Sequence, residues 1–142
     1  MVESKSLGHG DAQVAIETIK AAMLERGLAG VIAVADAHGE LIGLLRLDGA
    51  PLASIVIAAN KAWTAARERK PSRELGQASR DPVNGFDMGY FGDKRYIGWG
   101  GGVPVRFGGA VVGAVAVSGL PEQVDMELAE LGAATILKLA GA

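Results

Sequence analysis

Apolar residues recur at helical spacing in three segments of the chain. The first segment starts at Asp11, a residue type that caps helix N-termini, and stops at Gly27, a residue type that ends helices. The second starts at Pro51, which suits the first turn of a helix, and stops before Pro71. The third starts at Pro121. The pattern therefore predicts three amphipathic helices, and the small residues along the second would let it lie close to a sheet.

Four short apolar runs, bounded by turn residues, predict strands. They cover residues 31–35, 41–47, 103–107 and 110–117. Gly108 and Gly109 separate the last two runs, and their freedom to take positive φ angles suits a tight hairpin turn. Hairpins join antiparallel strands, and the last run is apolar at almost every position, as a central strand would be.

The order of these elements predicts an α+β fold, a three-layer α/β/α profilin-like sandwich with a central antiparallel sheet of about five strands. A chain of 142 residues has the usual size of one domain, so we expect residues 1–142 to form a single domain. Residues 72–99 are less regular and predict a short helix followed by a long loop. This segment contains aromatic residues that could line an apolar pocket or an oligomer interface: Phe86, Tyr90, Phe91, Tyr96 and Trp99.

Composition narrows the possible partners and cofactors. The formal net charge of -2 gives no basic surplus for a nucleic-acid backbone, and no apolar run approaches the ~20 residues of a membrane span. Cysteine is absent, which excludes disulfides and thiolate metal sites, and the sequence predicts no preformed metal site. The polar first residues lack the organisation of a secretory signal. We therefore expect a cytoplasmic protein without nucleic-acid or membrane partners.

A series of short motifs runs through nearly the whole chain. They are Val34-Ala35-Asp36 with Gly39, Arg46-Leu47-Asp48-Gly49-Ala50, Lys61-Ala62 with Thr64-Ala65, Gly101-Gly102-Val103-Pro104, Gly113, and Val117-Ser118-Gly119 with Gln123 and Asp125. In this order and spacing they resemble the GlcG/HbpS family of haem-binding and haem-degrading proteins, which is similar to the C-terminal domain of PduO-type cobalamin adenosyltransferases. The resemblance implies an α/β/α sandwich that assembles into dimers, tetramers or octamers. It also implies binding of haem or companionship with catabolic enzymes of small acids and diols.

Two cations are candidates for a ligand pocket. Arg46 could hold a carboxylate or haem propionate by a planar two-point contact, and Lys61 could add a point charge. Further ligand-binding candidates near them are Trp99, the backbone of Gly101 and Gly102, and Ser118. The alternatives are structural: an internal ion pair of Asp36 or Asp48 with one of the cations, a glycine turn before the next strand, and a serine that caps the last helix.

A haem iron would need an axial ligand from a small set of side chains. The candidates are His9, His38, Tyr90 and Tyr96, with Met88 and Thr64 as further possibilities. His38 lies in a predicted hairpin turn and His9 in a predicted flexible leader, so both are also typical of solvated surface residues.

The sequence therefore predicts a homo-oligomeric binding protein, dimer to octamer, for a small anionic or planar ligand, with haem as the possible cofactor. The alternative is an isomerase or lyase type enzyme, or an accessory subunit, acting on a small organic acid. In the enzyme, Asp36, Asp48 or Lys61 would be catalytic and move a proton, after burial has changed its pKa.

Overall fold

The elements of the computed structural model, which describes residues 1–141, follow the order predicted from the apolar pattern. The helices are α1 (His9–Glu25), α2 (Ser54–Glu68), α3 (Ser72–Ser79) and α4 (Glu122–Leu139). The strands are β1 (Val31–Asp36), β2 (Leu41–Arg46), β3 (Gly102–Phe107) and β4 (Ala110–Ser118), and a 3-10 turn covers Met88–Phe91. Within residues 1–141, no helix combines the length and the apolar content that crossing a bilayer requires.

The described strands form one antiparallel sheet in the order β2-β1-β4-β3. The α+β class with an antiparallel sheet is confirmed, but the prediction of about five strands is wrong, because the described sheet has four strands. The irregular segment before β3 adds no strand. Its backbone instead bonds to Thr64 of α2, whose hydroxyl accepts from the Ile97 N–H at 3.1 Å and donates to the Arg95 carbonyl at 3.1 Å.

The two central strands present different side chains to the two faces of the sheet. On one face, Ile32 and Val34 pack with the aliphatic residues of α1 and α4. On the other face, Ala33 of β1 and Ala116 of β4 pack against the small residues of α2. Because small side chains separate α2 from the sheet, polar groups of this helix reach the backbone at the ends of the strands. The likeness to profilin stays a prediction.

Helix α1 begins earlier than predicted. Asp11 is not the N-cap; its carboxylate accepts from the Gly8 N–H at 2.9 Å, so the first helical residue is His9 and not part of a flexible leader. The residues before α1 are also bonded to the sheet. The Leu7 N–H donates to the Val112 carbonyl at 2.8 Å, and the Ser6 hydroxyl accepts from the Ala37 N–H at 2.9 Å.

Most of the aromatic residues in the irregular segment pack on one another. The ring centroids of Phe86 and Phe91 lie 5.6 Å apart, those of Phe91 and Tyr96 4.7 Å apart, and those of Tyr96 and Trp63 of α2 4.6 Å apart. This cluster joins the segment to α2, whereas Trp99 lies apart from it, beside the end of β4.

Candidate functional site

A buried ion pair links α2 to α4. The Lys61 and Asp125 side chains are only 3% and 4% exposed, and Lys61 Nζ lies 3.2 Å from Asp125 Oδ2. Lys61 also donates to the Val117 carbonyl at 3.0 Å, and Asp125 Oδ1 accepts from the Leu120 N–H at 3.2 Å. The alternative of an internal ion pair thus occurs, but with Asp125 in place of the expected Asp36 or Asp48.

Burial changes the proton affinity of both members of the pair. Removal from water raises the pKa of Asp125 to about 6, against the attraction of Lys61, which lowers it. Removal from water also lowers the pKa of Lys61, against the attraction of Asp125. At neutral pH the lysine therefore releases its proton more readily than a surface lysine does, and the carboxyl accepts a proton more readily than a surface aspartate does.

The glycine run before β3 packs directly on this pair. A Cβ atom at Gly101, where φ is +127°, would lie 2.5 Å from the Val117 carbonyl oxygen and 2.9 Å from Lys61 Nζ. The Gly100 N–H donates to Glu122 Oε1 at 2.8 Å, and the Gly102 N–H donates to the Ser72 hydroxyl at 3.0 Å. These two amides are therefore bonded to the protein itself, which favours the structural interpretation of the glycines as a turn into the strand.

A depression of about 350 Å³ opens above the ion pair, and we call it the Lys61 depression. Its lining residues are Ser54, Ile57, Lys61, Trp99, Gly100, Ser118, Gly119, Leu120, Glu122 and Asp125. Trp99 is 60% exposed, whereas Ser54 and Ser118 are buried. Ser118 does not cap the last helix as the alternative held, because the N-cap of α4 is Pro121, without a side-chain bond. The structure thus brings Lys61, Trp99 and Ser118 together, with Gly100 in the wall. The predicted Gly101 and Gly102 line a separate groove instead.

Arg46, Asp48 and Asp36 lie outside this depression. Arg46 is exposed at the end of the edge strand β2, and it lines a separate groove with Asp48 and with Lys20 of α1. Asp36 Oδ1 accepts from the N–H groups of His38 at 2.8 Å and Glu40 at 3.0 Å, which holds the turn between β1 and β2. The two cations of the predicted pocket therefore do not converge on one ligand.

A larger cavity, of about 680 Å³, lies where four segments meet, and we call it the His38 cavity. Its lining residues are Glu3, Ser4, Lys5, Ala37, His38, Arg69, Arg106, Phe107, Gly108, Gly109, Ala110 and Val111. Arg106 donates to the carbonyl of Arg69, which ends α2 with a φ of 58°. Lys5 Nζ lies 4.9 Å from the centroid of the Phe107 ring. Three cationic side chains and one histidine thus surround this cavity, with Glu3 as its carboxylate.

His38 was predicted from the sequence, but the three cations beside it were not. Lys5, Arg69 and Arg106 come from the N-terminal segment, the end of α2 and β3, and no motif connects them. These residues come together only in the folded chain, because both hairpin turns and the end of α2 lie at the same end of the sheet.

The other three axial candidates have different surroundings. His9 is exposed at the start of α1, and Tyr90 is 89% exposed in the 3-10 turn. The Tyr96 ring packs edge-on against its neighbours in the aromatic cluster. Of the four candidates, His38 alone lines one of the two cavities defined above.

Comparison with known proteins identifies similar chains. The chain is 33% identical over 114 residues to an "uncharacterized 15.0 kDa protein in dhaT-dhaS intergenic region" of Citrobacter freundii, a match that spans 80% of each chain. It is 27% identical over 106 residues to the corrinoid adenosyltransferase PduO of Salmonella typhimurium, covering 75% of this chain but only 32% of that enzyme. The crystal structure of Klebsiella pneumoniae protein ORFY superposes with a TM-score of 0.89 at 29% identity, over 96% of this chain and 94% of that one.

A family model confirms the resemblance predicted from the motifs. The model, described as "Haem degrading protein HbpS-like", matches residues 7–134, which include every strand and most of α4. The chain therefore belongs to the HbpS-like family.

Proposed function

We propose that this chain is a haem-binding protein and that the haem lies in the His38 cavity. One observation carries the proposal: an imidazole and three cations, Lys5, Arg69 and Arg106, surround a cavity of about 680 Å³. Histidine is a common axial ligand of haem iron, and cationic side chains pair with carboxylates such as the haem propionates. The family description, which names haem degradation, supports the same ligand.

The cavity matches the remaining requirements of a planar, amphipathic ligand. Its volume falls within the range of about 300–1,000 Å³ that is usual for cofactor sites. Phe107, Ala37 and Val111 supply apolar contacts for a macrocycle, and the cations lie beside them. The His38 backbone is held by the bond from its N–H to Asp36 and by its carbonyl, which accepts from Arg67 at 3.4 Å. A bound haem would supply an iron centre for ligand binding or electron transfer.

Replacing His38 with alanine tests the axial ligand. We expect haemin to bind the unchanged protein saturably with a shifted Soret band, and the His38→Ala variant to bind at least about tenfold more weakly, because the iron loses a protein ligand. The turn should keep its backbone bonds to Asp36 and Arg67, since neither involves the imidazole. Visible absorption during haemin titration measures the affinity.

The matched control is His9→Ala, because His9 is exposed and lies outside the cavity. This variant should bind haemin as the unchanged protein does. Equal affinities of the His38→Ala variant and the unchanged protein would rule out the axial role, and the absence of any saturable shift would rule out haem as the ligand.

We also propose that the chain assembles into a homo-oligomer, from dimer to octamer. Several large apolar side chains are exposed in one chain, among them Tyr90 at 89%, Leu52 at 70% and Trp99 at 60%. Aromatic residues are enriched at protein interfaces, and burying such side chains between subunits removes apolar surface from water.

The cytoplasmic location stays a prediction, as does the alternative of an enzyme or accessory subunit for a small organic acid.

Light scattering at micromolar concentration checks the assembly. We expect a mass that is a multiple of the 14.5 kDa of one chain. A Tyr90→Arg substitution, which adds a charge to the most exposed aromatic side chain, should lower that mass if Tyr90 lies in the interface. A monomer at all micromolar concentrations would contradict the proposal.

A further inference from the structure

We propose that Lys61 is a reactive amine that forms a Schiff base with a small, uncharged aldehyde or ketone bound in the Lys61 depression. The proposal is independent of haem binding, because the Lys61 depression and the His38 cavity share no lining residue. Nothing in the family description assigns this chemistry.

The hydrogen bonds of Lys61 suit a neutral amine. Within residues 1–141, its Nζ has two acceptors, the Val117 carbonyl oxygen at 3.0 Å and Asp125 Oδ2 at 3.2 Å. A neutral amine carries two protons, which these acceptors use, and its lone pair then remains for attack on carbon. A protonated amine would have a third N–H to satisfy. Burial lowers the pKa of Lys61, which favours the neutral form.

The charge in the depression indicates an uncharged substrate. When Lys61 is a neutral amine, the ionised carboxylates of Asp125 and Glu122 leave the depression with two negative charges, and when it is protonated one net negative charge remains. An anionic carbonyl compound would therefore be repelled. A neutral aldehyde or ketone meets no such repulsion.

The remaining lining groups match a small molecule with one polar and one apolar part. Ser54 and Ser118 also line the depression. Their hydroxyls can donate to or accept from a carbonyl or hydroxyl group of a ligand. Ile57, Leu120 and the exposed face of Trp99 can contact a short carbon chain.

The reaction needs no oxidant or reductant. The lone pair of Nζ attacks the carbonyl carbon, a C–N bond forms, and the C–O π electrons move to oxygen. Two protons leave the nitrogen and depart with that oxygen as water, which leaves a C=N bond. Asp125, which lies 3.2 Å from Nζ, can carry the protons and ends in its initial state. Its pKa of about 6 lies close enough to neutral pH for both steps.

Reductive trapping of glycolaldehyde tests the proposal on the unchanged protein. The protein is incubated at pH 7 with glycolaldehyde and sodium cyanoborohydride, which converts a Schiff base into a stable secondary amine, and peptide masses give the labelling rate of each lysine. Burial lowers the pKa of Lys61, which enlarges its neutral, reactive fraction at this pH. We expect Lys61 to be labelled at least about tenfold faster than the exposed Lys94, because glycolaldehyde bound in the depression is held beside its Nζ.

The concentration dependence separates a binding site from general reactivity. Labelling of Lys61 should saturate with glycolaldehyde, whereas labelling of Lys94 should stay linear. A Trp99→Ala variant, which removes one wall of the depression, should slow labelling of Lys61 and leave Lys94 unchanged. Labelling of Lys61 no faster than that of Lys94 would overturn the proposal and leave the ion pair a structural one. Haemin binding has no bearing on any of these readouts.

Discussion

Replacing Lys61 with methionine is expected to lower the free energy of unfolding by about 3–5 kcal/mol at pH 7, because the Asp125 carboxylate loses its partner while it stays buried. The methionine side chain has nearly the length of lysine and fills the same space without a charge. The loss therefore arises mainly from the uncompensated carboxylate, and urea denaturation would measure it.

The loss of stability caused by Lys61→Met should become smaller when the Asp125 carboxyl is protonated. The folded-state pKa of Asp125 is raised to about 6, above its value of 3.8 in the unfolded chain, so its contribution favours folding below about pH 4 and is lost as the pH rises through 6. Without Lys61 the folded-state pKa rises further. The Lys61→Met variant should therefore be closer in stability to the unchanged protein at pH 5 than at pH 7.

Two further variants serve as controls for the Lys61→Met variant. A double variant with Lys61→Met and Asp125→Leu should recover most of the loss, since no unpaired charge remains. A Lys20→Met variant removes a partly exposed lysine whose Nζ lies 3.7 Å from Glu17 Oε2, and it should cost no more than about 0.5 kcal/mol. A loss below about 1 kcal/mol in the free energy of unfolding of Lys61→Met would show that the buried Asp125 carboxyl does not need Lys61 as a partner.

Replacing Gly101 with alanine is expected to cost about 2–5 kcal/mol. One part of this cost is conformational, because an L side chain rarely adopts a φ of +127°. The other part is steric, because the new Cβ would meet the Val117 carbonyl oxygen at 2.5 Å and Lys61 Nζ at 2.9 Å. Thermal or denaturant unfolding measures the sum.

Gly49 offers a matched control for the conformational part. It also has a positive φ, +87°, but a Cβ atom there would have nothing within 4 Å. Gly49→Ala should therefore cost only about 1–2 kcal/mol. If Gly101→Ala and Gly49→Ala lowered the free energy of unfolding by the same amount, the close approach of Gly101 to Lys61 would not contribute to the cost.

Much of the fold could be predicted from the apolar pattern, because each element buries a definite face. The nearly uninterrupted apolar run of β4 indicated a central strand, and β4 lies in the middle of the sheet beside β1. Gly108 and Gly109 both have positive φ angles, as the predicted hairpin turn requires. The N-cap of α1 was misplaced by three residues, at Asp11 in place of Gly8, because Asp11 stabilises the helix from its third position, where an acidic side chain is also favourable.

The site was harder to predict, because periodicity gives the face of an element but not its neighbour across the fold. The sequence allowed an internal ion pair between a cation and Asp36 or Asp48, and Lys61 does form a buried ion pair, but with Asp125. The identity of this partner depends on how α4 packs beside β4, which no local pattern encodes across a separation of 64 positions in the sequence. Arg46 was grouped with Lys61 for the same reason, although it lies in another groove.

The His38 cavity draws part of its wall from residues 3–5, which precede α1 and are held by the Leu7 and Ser6 contacts with the sheet. These residues are exposed, and none of them belongs to the buried core, although Lys5 lies over the partly buried Phe107 ring at its edge. Selection can therefore change the charge and shape of the cavity through this short segment while every packed element stays as it is. Ligand preference among related chains can therefore change faster than the fold, and chains with the same sheet need not bind the same ligand.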